Sequence, residues 1–322
     1  MDYVTLGRTG LTVSVAGLGC GGHSRLGLSQ GKDDAHAADL VRSALDLGVT
    51  FIDTAAVYGT EPAVGAAIKG RRESVVISTK APVFAGERWN LEPEVCTEDT
   101  LRASVEDSLR RLGTDVIDIM NFHGVVPGQY DPCIERLLPV FEALKAEGKI
   151  RFSGMTELFQ ADTDHAMLRR TVADDHFDVI MVGHNFLNPS ARRGVLDIAQ
   201  DKAVGTQIMF AVRQALRSVE ALQPVLDSLA EEGAIAPEDA DAARIEGLLL
   251  EGGATSLTDA AYRFCRHEPG AHVILTGTGN ADHLAANVTS ILAPPLAPAA
   301  MAELERLFGA ISSVTAGETI KA

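Results

Sequence analysis

Eight short apolar segments recur along the chain at roughly regular intervals. They are "SVAGLGC" (14–20), "VTFIDT" (49–54), "SVVISTK" (74–80), "DVIDIMNFH" (115–123), "KIRFSGMT" (149–156), "DVIMVGHN" (178–185), "GTQIMFAV" (205–212) and "AHVILTG" (271–277). Near-continuous apolar runs of this length suit strands buried on both faces of a parallel sheet. Helical patterns lie between them. "DDAHAADLVRSALDLG" places Ala38, Val41, Ala44 and Leu45 on one face and stops at Gly48. "TEDTLRASVEDSLRRLG" does the same with Leu101, Val105, Leu109 and Leu112, with Thr97 and Thr100 offering cap chemistry and Gly113 a stop. In "IERLLPVFEALKAEGK", Pro139 predicts a helix start near it or a kink. Strand–helix alternation repeated eight times without a composition break predicts an α/β fold, one (β/α)8 TIM barrel domain over residues 1–322.

Two segments decorate that barrel. Before the first strand, "YVTLGRTGLTVS" alternates apolar residues around a turn and reads as a short N-terminal β-hairpin over the barrel floor. The connection after the seventh strand, residues 213–270, is much longer than the rest and mostly helical ("SVEALQPVLDSLAEEG", "LTDAAYRFCRH"), which makes it a helical insertion. "GLGCGG" at 17–22 matches the G-x-G-x-x-G dinucleotide pattern, but that pattern needs a helix to open at once. Here "HSRLGLSQGKDD" intervenes, so a Rossmann reading is set aside.

With 28 Lys and Arg against 44 Asp and Glu, the formal charge is −16 and no long basic cluster appears. A nucleic-acid partner needs a basic surface to displace counterions and is disfavoured. An anionic membrane surface gains nothing from such a chain. No signal peptide and no run of about 18 apolar residues is present, so a cytoplasmic location is expected. Cys20, Cys96, Cys133 and Cys265 lack metal-ligand spacing and read as free thiols. His123 and His184 belong to different strands without paired carboxylates, so no metal is expected.

In such barrels, side chains at the C-terminal ends of the strands converge on one mouth, where active sites form. The second segment ends at Asp53 with Tyr58 in the loop beyond, the third at Lys80, the fourth at His123. Each alone has an ordinary explanation: a turn cap, a packing aromatic, a solvated ammonium, a structural imidazole. An acid, a phenol, an ammonium and an imidazole at corresponding points of successive strands point instead to a proton-transfer group.

At these residues the chain resembles the aldo-keto reductases. The resemblance runs through "LGRTGLTVS", "FIDTAAVYG", "STK", "IDIMNFHG", "GKIRFSGMTE" and "LTGTGNADHLAAN". It implies a (β/α)8 barrel that interconverts a small aldehyde or ketone, a sugar included, with its alcohol. Its catalytic residues would be Asp53, Tyr58, Lys80 and His123. In that chemistry Tyr58 is the general acid for reduction and the base for oxidation. Asp53 holds Lys80, and His123 orients the carbonyl oxygen. An ammonium about 4 Å from a phenol favours the phenolate by roughly 4 kcal/mol at an effective dielectric of about 20. Lys80 is therefore expected to lower the Tyr58 pKa. A relative that senses redox state as a dinucleotide-binding regulatory subunit is the alternative, and nothing in the chain fixes an oligomeric state.

The same resemblance implies NADP(H) or NAD(H), with no flavin. Contacts are expected from Gly21 and Gly22 after the first strand, and from Phe210, Ala211 and Val212 after the seventh. Others come from Gly277, Thr278, Gly279, Asn280, His283 and Asn287 at the helix after the eighth. Glycines 277 and 279 would let backbone N–H groups approach a phosphate, with Asn280 or Asp282 capping the helix. The chain departs from the family at the nicotinamide. Thr156-Glu157 stand where many members have Ser-Asn for the carboxamide, Met181 where a Gln is common, and His184 where a Tyr stacks on the ring. Residues 273–290 contain no Lys or Arg, so a 2′-phosphate would lack its usual partner unless a basic residue of the insertion, such as Arg213 or Arg217, supplies it, and NADH is expected to be at least tolerated. Phe84 and Trp89 after the third strand are candidates for the substrate pocket.

Overall fold

The computed structural model describes residues 1–86 and 91–317. Eight parallel strands close a barrel in chain order: β3 (Ala16–Gly19), β4 (Phe51–Asp53), β5 (Val76–Pro82), β6 (Ile117–Val125), β7 (Ile150–Glu157), β8 (Val179–Gly183), β9 (Gly205–Met209) and β10 (Val273–Thr276). The last strand, β10, pairs back onto β3. Each strand overlaps its apolar segment. The closed barrel excludes a doubly wound sheet. After "GLGCGG" the chain makes turns and a 3-10 segment (Arg25–Gln30) before any α-helix begins.

The helices are α1 (Asp34–Asp46), α2 (Glu61–Ile68), α3 (Glu98–Leu112), α4 (Tyr130–Pro132), α5 (Leu138–Ala146), α6 (Ala166–Asp174), α7 (Leu196–Asp201), α8 (Val219–Glu231), α9 (Ala242–Glu251), α10 (Leu257–Arg266), α11 (Ala281–Ile291) and α12 (Pro298–Phe308). α3 starts where Thr97 accepts from the Thr100 N–H and stops at Gly113 with φ 63°. Pro139 follows closely on a π segment, Cys133–Leu137, at which the helix running from α4 into α5 accommodates a residue that cannot donate. The insertion after β9 is helical: α8, α9 and α10 occupy most of it.

The hairpin pairs β1 (Tyr3–Thr5) with β2 (Thr12–Ser14) across a 3-10 turn. Its Leu6, Leu11 and Val13 pack on Phe51, Val76, Ile119, Val179 and Val273, which lie at or near the N-terminal ends of their strands. The hairpin thus plugs the floor. Above the plug is a polar layer inside the barrel: Asn121 Nδ2 donates to Ser78 Oγ (3.0 Å), which donates to Gln207 Oε1 (3.1 Å). The next inward residues along β5 and β6 are Lys80 and His123, at the mouth.

Candidate active site

Asp53 closes β4, Lys80 lies near the end of β5, and His123 near the end of β6. A 3-10 turn over Ala56–Tyr58 carries Tyr58 back over the opening. Lys80 Nζ is buried and donates to Asp53 Oδ1 (2.6 Å), Asp53 Oδ2 (2.8 Å) and the Thr54 carbonyl (2.8 Å). The same ammonium stands 5.0 Å from the centre of the Tyr58 ring. Tyr58 Oη and His123 Nε2 are 3.3 Å apart, their rings edge to face. Gly21 makes room for this arrangement, because a Cβ there would fall 2.5 Å from the Tyr58 ring. The structure therefore brings all four residues together.

Burial disfavours the Lys80 ammonium, but Asp53, with Tyr58, outweighs it and holds the Lys80 pKa above its ordinary value. Burial raises the Asp53 carboxyl against the pull of Lys80. Burial and the nearby ammonium push His123 well below the usual imidazole range, so it is neutral near pH 7. The Tyr58 phenol is raised above 10.0, which corrects the expectation of a lowered one. Burial is the larger influence, and Lys80 is opposed by Asp53, so the pair presents the phenol with little net positive charge.

The residues expected at a cofactor divide into two groups. Gly21 and Gly22 follow β3, Phe210, Ala211 and Val212 follow β9, and Gly277 to Asn280 follow β10 at the same end of the barrel. Phe210 has φ 63°, with the Arg213 guanidinium 4.2 Å above its ring and Phe159 at 6.0 Å. Asn280 caps α11 by accepting from the N–H groups of Asp282 and His283; His283 itself is exposed. Gly277 and Gly279 have a packing reason to lack side chains: a Cβ would lie 2.9 Å from the Gly19 carbonyl or from Gly27 Cα. Asn287 Nδ2 donates to Thr276 Oγ1 (2.9 Å) and borders a cavity of about 530 Å³ between α10 and α11. Thr255, Ser256, Asp259 and Arg263 line the same cavity, and no motif in the sequence marks them. Arg263 is already bonded to the carbonyls of Gly253, Pro294 and Pro295.

The second group is not where the family pattern would place it. His184 is fully buried on the helix side of β8, its ring 5.4 Å from Phe264 and nearly parallel to it. A ring there does not face the mouth, so it is not available to stack on a nicotinamide. Glu157 also turns away: its carboxylate accepts from the Gly183 N–H (2.7 Å) and contacts His165 Nδ1 (2.9 Å). Met181 is inside the barrel, below the mouth. Thr156 Oγ1 accepts from the Gly124 N–H (2.7 Å). Glu157 directly follows Thr156 on β7, so their side chains leave opposite faces of that strand, whereas His184 lies one residue beyond β8. Phe84 bridges to Val95 in the loop after β5, whereas Trp89 lies outside the described residues.

A parallel barrel with a buried Lys–Asp pair, a phenol and a neutral imidazole at its mouth has the parts of a proton-coupled redox site. The aldo/keto reductase family model matches residues 17–308, and the chain belongs to that family. It is an oxidoreductase acting on carbonyl and CH–OH groups with a nicotinamide dinucleotide. It is 34% identical over 215 residues to L-galactose dehydrogenase of Arabidopsis thaliana, which covers 64% of this chain and 63% of that protein. It is 32% identical over 238 residues to the NADH-specific methylglyoxal reductase of Escherichia coli, covering 67% and 69%. In fold it matches aldo-keto reductase AKR11C1 of Bacillus halodurans with a TM-score of 0.72, 24% identity and 97% of each chain covered. No helix among the described residues is long and apolar enough to cross a membrane.

Proposed function

We propose that the chain reduces the carbonyl of a small polar aldehyde or ketone, sugars included, and that Tyr58 delivers the proton. The observation that carries this reading is the convergence of Tyr58 Oη with His123 Nε2 at 3.3 Å and of the Asp53-paired Lys80 ammonium 5.0 Å from the Tyr58 ring centre. When bound, the reduced nicotinamide supplies a hydride to the carbonyl carbon. His123 and Tyr58 address the carbonyl oxygen from the barrel side, and Tyr58 Oη transfers its proton to that oxygen as the C–H bond forms. The phenolate left behind sits near Lys80, which lowers the cost of its charge, and it regains a proton from solvent. In the reverse direction the same phenolate removes the alcohol proton.

The cofactor reading follows from charge. Residues 273–290 carry no Lys or Arg, and the guanidinium beside the α10–α11 cavity is held by backbone carbonyls and Asp259. A 2′-phosphate at this helix would find acids and hydroxyls rather than a fork of donors. NADH is therefore accepted, in keeping with the NADH specificity of the Escherichia coli methylglyoxal reductase. The name of the Arabidopsis relative supports a sugar among the substrates.

The test is a panel of aldehydes, ketones, sugars and alcohols with all four nicotinamide forms, read at the reduced-cofactor absorbance, with Tyr58→Phe as control. Turnover that falls by about 10²–10⁴ in the variant, at unchanged NADH affinity, supports the assignment. Cofactor binding without turnover on any substrate would instead favour a redox-sensing regulatory subunit. A hundredfold preference for NADPH at physiological salt overturns the cofactor reading.

A further inference from the structure

The strand that carries His123 becomes irregular at that residue. β6 and β7 pair in register through Phe122–Met155 and resume at Val125–Glu157, so His123 and Gly124 together face Thr156 alone. Two residues against one is a bulge, the device that re-aims a side chain at a strand end. Gly124 adopts φ 63°, in the left-handed region open to glycine at little cost. The bulge takes the Gly124 N–H out of the ladder, and Thr156 Oγ1 accepts it at 2.7 Å. Thr156 is 2% exposed, so no solvent stands ready to replace that acceptor. From its place in the bulge, the His123 ring points at Tyr58, its Nε2 3.3 Å from Oη.

We propose that Thr156 is a positioning residue for His123: its hydroxyl anchors the Gly124 amide and, through the bulge, holds the imidazole against the Tyr58 hydroxyl. The proposal rests on the reading that His123 and Tyr58 act together on the carbonyl oxygen. It gives Thr156 a task different from holding a carboxamide. A buried N–H must find an acceptor. Without the hydroxyl the bulge would shift to recover one, and the imidazole would shift with it. Displacement of a reacting group by about 1 Å can cost on the order of 10² in rate.

Thr156→Val removes the hydroxyl at nearly constant shape, Thr156→Ser restores it, and Gly124→Ala disturbs the bulge with Thr156 intact. In the valine variant kcat should fall by about ten- to a hundredfold, with the NADH dissociation constant within about threefold of wild type by fluorescence titration. The serine variant should recover most of kcat, and the alanine variant should reproduce the loss. The imidazole ¹⁵N signals of His123 should move in the valine and alanine variants and return in the serine variant, a readout independent of turnover. Unchanged His123 signals in Thr156→Val overturn the proposal, as does a tenfold weaker NADH affinity at unchanged kcat. Should Tyr58→Phe turn over as fast as wild type while the His123 signals move as expected, the functional reading fails and the positioning survives.

Discussion

A phenol beside a neutralised ammonium behaves differently from one beside a free ammonium, and Tyr58 is the first kind. Lys80 spends its donors on Asp53 and the Thr54 carbonyl, and burial keeps the Tyr58 pKa above 10.0. The direction matters for pH. Below its pKa the group is a phenol, ready to give a proton but with very little phenolate to accept one. Reduction should hence show a level kcat/KM between about pH 6 and 8, because the acid is fully protonated and His123 stays neutral. Alcohol oxidation should climb about tenfold per unit through pH 8 and 9, following the phenolate fraction. Steady-state kcat/KM in both directions checks this, since it reports the free enzyme. An oxidation profile that is flat from pH 7 to 9 would mean that the base is not this phenol. The residue types were legible in the sequence, as was their order. The sign of the Tyr58 shift was not, because it depends on how much of the Lys80 charge Asp53 cancels.

Elements are held in place around the site by a second buried charge group that lies away from the Tyr58–His123 pair. Glu268, just beyond α10, accepts from Arg192 Nε (2.6 Å) and Nη2 (2.7 Å), and Arg192 also binds Glu305 of α12. The clasp ties the loop after β8 to α10 and α12. Burial pushes the Glu268 carboxyl up, but Arg192 and His184 more than offset it, bringing the pKa from 4.5 to about 2. A lowered folded-state pKa contributes stability above the unfolded value and loses it as pH falls from about 5 to about 2. Glu268→Gln should therefore destabilise the protein at pH 7, by at most about 3 kcal/mol, with the difference from wild type shrinking by pH 3. Denaturant unfolding at the two pH values measures it, and an undiminished difference at pH 3 would count against the ionised clasp. Nothing in the sequence marks this group, whose members lie far apart along the chain. Strands were legible because each is apolar on both faces. α3 was legible because its caps are local. The outward turn of His184 was not legible, because it lies one residue beyond β8, where strand alternation no longer sets side-chain direction. The contact of Gly279 with Gly27 needs two loops from opposite ends of the chain and leaves no local trace.

At the scale of the whole molecule, the two ends of the barrel do different work. The mouth collects Asp53, Tyr58, Lys80 and His123. The floor is closed by Leu6, Leu11 and Val13 of the hairpin against the starts of the strands. A polar layer of Ser78, Asn121 and Gln207 separates them. The hairpin's place was legible in the alternation of its apolar residues. Since the floor touches none of the four side chains gathered at the mouth, a cavity cut there should lower stability and leave activity alone. Leu6 is completely buried, and Leu6→Ala should cost about 2–5 kcal/mol through lost burial and an unfilled void. For a chain of this size that corresponds to a Tm lower by roughly 3–7 °C. At 25 °C, kcat/KM for reduction should stay within about twofold of wild type, because that loss still leaves most molecules folded. Thermal unfolding and initial rates on one preparation check both halves. A large fall in kcat/KM at an unchanged Tm would show that the floor is coupled to the mouth through the polar layer, and that the division of labour between the two ends is wrong.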